Sequence, residues 1–168
     1  MDGSRIVMTL GREVSTKGST FTIRRFRDEP FTPVDLLEFK TFSSMQIAFF
    51  WLAMQYGMSM LFVGGTASGK TTSLNACSLF LPWQHKIVSI EETRELNLPH
   101  PNWIPGCTRQ GFGGESAGSG VKAAGEVDMY DLLRAALRER PEYIIVGEIR
   151  GAEAYVLFQA MATGHTTY

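Results

Sequence analysis

Apolar positions change their period along the chain, and each period predicts a different element. Near the N-terminus, Ile6-Val7-Met8-Thr9-Leu10 and Thr20–Phe26 are short runs rich in β-branched and aromatic residues. Gly11 and Lys17-Gly18-Ser19 lie between them, so two strands joined by turns are predicted. Phe21, Ile23 and Arg25 then share one strand face, and Thr22 and Arg24 the other. Pro33 suits the first turn of a helix through Val34-Asp35-Leu36-Leu37. From Phe42 onward, helical and strand-like patterns alternate. Helices are predicted over 44–56, about 69–80, 128–139 and 152–161, and strands over 60–63, 86–90 and 143–146, with 103–110 a strand or hairpin. Tyr143-Ile144-Ile145-Val146 has no polar position, the pattern of a strand covered on both faces in a parallel sheet. Glycines at 111, 113, 114, 118, 120 and 125 predict a mobile loop. Together these features predict a doubly wound, mainly parallel α/β sheet over residues 41–168. Residues 1–40 read as the end of a small β-rich domain and a linker.

Composition narrows the class without changing this picture. With 168 residues, 44% hydrophobic and 20% charged, the chain is ordinary globular protein. Sixteen basic against seventeen acidic residues leave a net charge of −1, which gives no general attraction for nucleic acid or anionic membrane. Cys77 and Cys107 fit neither a disulfide scaffold nor a CxxC metal pair. No apolar run follows the first residues, so no signal peptide is expected, and a reducing, cytoplasmic setting follows. The uncharged stretch between Lys40 and Lys70 is broken by Gln46, Gln55, Gly57 and Ser59, and is expected to be a core helix and strand rather than a membrane span.

The clearest chemistry lies in Gly64-Gly65-Thr66-Ala67-Ser68-Gly69-Lys70-Thr71, which fits G-x-x-x-x-G-K-[ST] between a predicted strand and a predicted helix. Side-chain-poor residues let backbone N–H groups close on phosphate oxygens at a helix N-terminus. Lys70 would then reach the β- and γ-phosphates of a nucleoside triphosphate, Thr71 would ligate Mg²⁺, and Thr72 could contact the α-phosphate. Ligands in open α/β sheets bind outside the carboxyl ends of the strands. Glu148, just past the strand at 143–146, is therefore the Walker B candidate, holding the Mg²⁺ shell. Its bland alternative is a solvated acid paired with Arg150. Glu91 and Glu92 end another strand; adjacent residues point apart, so only one can face the γ-phosphate and activate water, and Glu91 is favoured. A solvated cluster neutralised by Arg94 remains the alternative there. His165 would approach the same edge as a γ-phosphate sensor or serve structure alone, whereas His85 and His100 read as surface or loop positions. Arg24, Arg25, Arg27, Arg134, Arg138 and Arg140 are ordinarily solvated, with an arginine-finger role as the sharper alternative.

These segments, in this order, resemble the type II/type IV secretion ATPase superfamily, and most of all its archaeal pilus, archaellum and secretion motors. Gly64–Thr72 matches the Walker A, and Ser89-Ile90-Glu91-Glu92-Thr93-Arg94-Glu95-Leu96 resembles the acidic box. Arg109–Gly114, Leu132–Pro141 and Ile144–Gly151 match the stretch through the Walker B. Ala162-Thr163-Gly164-His165 resembles the start of the histidine box, and Thr20–Phe26 the last strand of the N-terminal domain. The resemblance implies a RecA-like core and a cytoplasmic homo-hexamer that uses ATP and Mg²⁺ to drive a membrane platform protein. Peripheral contact with the membrane, and no nucleic acid, are implied as well. By position, Glu91 would activate water, Glu148 would be the Walker B acid, and Arg24 or Arg25, with Arg138, would reach a nucleotide from the other lobe or a neighbouring subunit. Glu92 stands where the family usually has Asp, which leaves the division of labour between Glu91 and Glu92 open. The chain ends before the second histidine of the box, so it is expected to be a C-terminally incomplete piece of a longer protein that binds nucleotide weakly without useful turnover. A RecA-like nucleic-acid translocase is the alternative function, and a small-molecule P-loop kinase a more distant one.

Overall fold

A computed structural model describes residues 4–13, 16–25, 29–111, 123–149 and 151–168. Strands β1 (Arg5–Thr9) and β2 (Thr20–Arg24) form an antiparallel hairpin, with Ile6 opposite Ile23 and Met8 opposite Phe21. Those four apolar side chains share one face of the hairpin and are exposed. Helix α1 (Pro33–Glu38) begins where the proline predicts, with Thr32 and Asp35 forming a capping box. Helix α2 (Ser44–Gln55) is capped the same way by Ser43 and Gln46.

The remaining elements are α3 (Lys70–Ser78), β3 (Ile87–Glu91), β4 (Trp103–Cys107), α4 (Met129–Arg138), β5 (Tyr143–Val146), α5 (Glu153–Ala162) and β6 (Thr166–Thr167). The sheet runs β4-β3-β5-β6, and every pairing in it is parallel. The 103–110 segment thus resolves into a strand, with Pro105 tolerated because β4 is an edge. Arg109 then bridges Val127 in antiparallel fashion.

Strands β3 and β5 are buried throughout, and successive residues feed opposite faces. On one face Ile87, Tyr143 and Ile145 pack with Met54, Leu74, Cys77 and Leu81. On the other Val88, Ile90, Ile144 and Val146 pack with Leu133, Ala136, Val156 and Leu157. Helices therefore cover both faces of an α/β fold with a parallel sheet. Each fully buried Ile or Leu here is worth about 1.5–3 kcal/mol of transfer free energy.

Two expectations need correction. The segment 60–63 does not join the sheet as a strand: Met60 N–H donates to Thr167 C=O at 3.1 Å, but Leu61 and Val63 are 63% and 82% exposed. Strand-like composition makes no strand without a ladder, and the segment's backbone is bonded to β6 only through Met60. Helix α2 is likewise only partly core: Ile47, Ala53 and Met54 are buried, whereas Met45, Phe49, Trp51 and Leu52 are exposed. Among the described residues no helix is long and apolar enough to cross a membrane. Most of the predicted glycine loop, 112–122, lies outside the described residues, as do Arg27, Lys122 and Arg150.

Asp128 caps α4: its Oδ1 accepts the Asp131 N–H at 2.8 Å. Asp128→Ala is expected to cost about 1 kcal/mol, lowering the melting temperature by about 2–4 °C in a thermal unfolding scan.

Candidate active site

The phosphate loop forms the turn into α3. Gly69 caps that helix with φ +86°, a region glycine enters without steric cost, and Ala67 sits at φ +60°, where a side chain is strained. Ser73 N–H bonds Gly69 C=O at 2.8 Å, closing the first helical turn. The N–H groups of the residues before it have no intrahelical acceptor, the arrangement that suits an anion at a helix start. Lys70 Nζ donates to Gly65 C=O at 2.6 Å and Ser68 Oγ to the same oxygen at 2.8 Å. That carbonyl occupies the role a phosphate oxygen would take for Lys70.

The loop opens on a cleft of about 410 Å³. Ala67, Ser68, Gly69, Lys70, Thr71 and Thr72 line one wall, Thr93, Arg94 and Glu95 another, and Arg24, Arg25, Pro30 and Phe31 a third. Gly64, Gly65 and Thr66 are exposed at the start of the loop and do not line it. Because Thr93–Glu95 directly follow β3, the cleft and the β3 carboxyl end share one edge of the molecule. Arg24 pairs with Glu95 there, Nη2 to Oε1 at 2.9 Å.

The acidic pair divides as an extended backbone dictates. Glu92 is exposed. Glu91 is 2% exposed, and its Oε1 accepts the N–H groups of Glu95 and Leu96, both at 2.9 Å. Its Oε2 is buried without a hydrogen-bond partner among the described residues. Gly147 allows this placement, since a Cβ there would lie 3.1 Å from Glu91 Cγ. Burial pushes the Glu91 carboxyl above its usual value of 4.5; the two backbone donors pull it back, Glu95 adds to the rise and Arg94 opposes it. A carboxylate so raised is a stronger base.

Glu148 follows β5 and is half-buried. Gly147 N–H donates to Ile90 C=O at 2.9 Å, which holds this stretch beside the end of β3. Thr71 lines the cleft and Glu148 does not; the hydroxyl and carboxylate oxygens of the two are hard donors of the kind Mg²⁺ takes. Among the described residues no group of three or more His, Cys, Asp or Glu could hold a metal ion.

His165 is not brought to this edge. It immediately precedes β6, so in a parallel sheet it lies at the amino end, in a second groove with His85, Arg140 and Tyr143. Its Nδ1 is 3.3 Å from Thr163 Oγ1. Arg138, exposed in the last turn of α4 ahead of β5, is at the amino end too and does not line the cleft. His100 is no surface residue: it is 6% exposed, with Nε2 3.0 Å from Leu81 C=O. Sequence reasoning gave no role to Asn75 or Phe31, both in the cleft wall. Asn75 is buried and its Oδ1 accepts the Asn97 N–H at 3.2 Å, a long-range link with no local signature.

Comparison with known proteins agrees with the fold. Residues 6–168 match the family described as Type II/IV secretion system protein. The chain is 50% identical over 164 residues to the uncharacterized protein MJ0900 of Methanocaldococcus jannaschii, covering 98% of this chain and 28% of that protein. It is 39% identical over 122 residues to the type IV secretion system protein PtlH of Bordetella pertussis, covering 70% and 33%. The VirB11 ATPase of the Brucella suis type IV secretion system superposes with a TM-score of 0.58 at 24% identity, covering 98% of this chain and 51% of that one. The chain thus spans about a third or less of these curated relatives. On the match over residues 6–168, it belongs to the Type II/IV secretion system protein family.

Proposed function

We propose that the chain is the nucleotide-binding part of an ATPase motor that powers a type IV pilus, archaellum or type II/IV secretion machine. The observation that carries this reading is the cleft shared by the phosphate loop, the turn after Glu91, Arg24 at the end of β2 and Arg25 just past it. The triphosphate lies against the amino end of α3, and Lys70 exchanges the Gly65 carbonyl for β- and γ-phosphate oxygens. Arg24 and Arg25 neutralise charge on the transferring phosphoryl group from the β2 side. Glu91, held through Oε1, uses Oε2 to accept the proton of the attacking water. Thr71 and Glu148 would hold Mg²⁺, which supplies charge neutralisation on the β- and γ-oxygens.

We read residues 1–40 as the tail of an N-terminal domain and 41–168 as the core. The protein works as a cytoplasmic homo-hexamer, peripheral to the membrane through a platform protein and without nucleic acid. Arg138, on the far edge from its own cleft, serves a neighbouring subunit. The test is phosphate release from Mg·ATP by the protein at the length of its relatives, with and without single-stranded DNA. Release independent of DNA is expected. Release that requires DNA would favour a nucleic-acid translocase, and none under either condition would overturn the reading.

A further inference from the structure

Glu95 makes two contacts that point in different directions. Its side-chain Oε1 holds Arg24 of β2 at 2.9 Å, and its backbone N–H holds Oε1 of Glu91 at 2.9 Å. We propose that Glu95 is a positioning residue that couples the seating of Arg24 to the carboxylate of Glu91. The proposal rests on the reading that the cleft binds a nucleoside triphosphate.

The chemistry follows from competition. Arg24 and Glu95 line the same cleft as Lys70, Thr71 and Thr72, so a bound phosphate and the Glu95 carboxylate compete for one guanidinium. Guanidinium binds phosphate in a bidentate, charge-assisted fashion. Once Arg24 turns to phosphate, the Glu95 carboxylate faces an anion without its counterion and is repelled. Its backbone N–H moves with it, loosening one of the two donors that fix Glu91 Oε1. Glu91 Oε2 is fully buried, so some shift of this turn is what admits a water to it. The ion pair has little value as a brace, because the Arg24 side chain is 66% exposed and exposed pairs add little to stability. Its value lies in reporting that phosphate has arrived.

Glu95→Gln tests this, since it removes the charge and keeps the backbone N–H. Mg·ATP affinity, read with a fluorescent ATP analogue, is expected to rise about two- to fivefold, the range of an exposed ion pair released from competition. Single-turnover hydrolysis is expected to fall by about tenfold or more, while the melting temperature stays within about 2 °C. Tighter binding with slower chemistry is a split that a merely structural residue would not produce. Glu95→Asp, which keeps the charge, should restore part of the rate. In an Arg24→Gln background, Glu95→Gln should no longer tighten binding. The same tightening in both backgrounds would show that Glu95 acts only through its own charge and would overturn the coupling. Wild-type binding and turnover matched by Glu95→Gln would overturn it as well and leave the nucleotide site standing. Absent wild-type binding would overturn both.

Discussion

Lys70→Ala is expected to remove productive nucleotide binding. Lys70 Nζ is the cationic donor of the phosphate loop, and in this structure it already engages an oxygen, Gly65 C=O at 2.6 Å. Hydrogen bonds to charged groups are worth about 1.5–3 kcal/mol, so Mg·ATP affinity should fall by about 10- to 150-fold. Hydrolysis should fall further, by at least about 100-fold, because the same charge stabilises the transition state. The fold should be untouched, since Lys70 is only half-buried and Gly65 is exposed. Fluorescence titration and a phosphate-release assay on the melting-matched variant check this; unchanged affinity would remove Lys70 from the site.

Glu91→Gln separates binding from chemistry. A general base contributes typically 10²–10⁴-fold, so hydrolysis should drop by about that factor while Mg·ATP affinity changes by less than about twofold. The substitution should also stabilise the protein at neutral and alkaline pH. Burial raises the Glu91 pKa in the folded state above its usual 4.5. Folding thus prefers the protonated carboxyl, and its contribution to stability is fully present below 4.5 and lost as pH rises through the folded-state value. Above the folded-state value the wild type holds a buried, half-satisfied carboxylate, a charge the neutral amide avoids while the Glu95 and Leu96 N–H groups keep an acceptor. The melting temperature of Glu91→Gln should exceed that of the wild type at pH 8, and the gap should close near pH 4. A variant that melts lower than wild type at pH 8 would show that Glu91 is held in place for stability. This is the usual tension between a reactive site and a stable one.

What could be read from the residues alone follows from the range of each interaction. The start of α1 was legible because the signal of Pro33 at the first turn is local. Strand β5 was legible because a run buried on both faces has no polar position. The phosphate loop was legible because its glycines answer to backbone geometry within a few residues. Positions set by distant partners were not. Residues 60–63 carry a strand's composition, yet a strand exists only where a ladder forms, and only Met60 bonds to β6. His165 was placed by its motif, but the direction in which the chain enters a parallel strand puts it at the amino edge. That Glu91 and Glu92 point apart was expected from alternation, and one is buried while the other is exposed; the pairing of Glu95 with Arg24, far back in the chain, had no local signal.

The proposed function puts a triphosphate between the amino end of α3 and the turn after β3. Amide hydrogen exchange with and without Mg·ATPγS tests it directly. Slowed exchange at residues 65–72 and 92–96, with residues 163–166 in the opposite groove unchanged, is the predicted result. Protection confined to the groove around His85 and His165, or none anywhere, would contradict it.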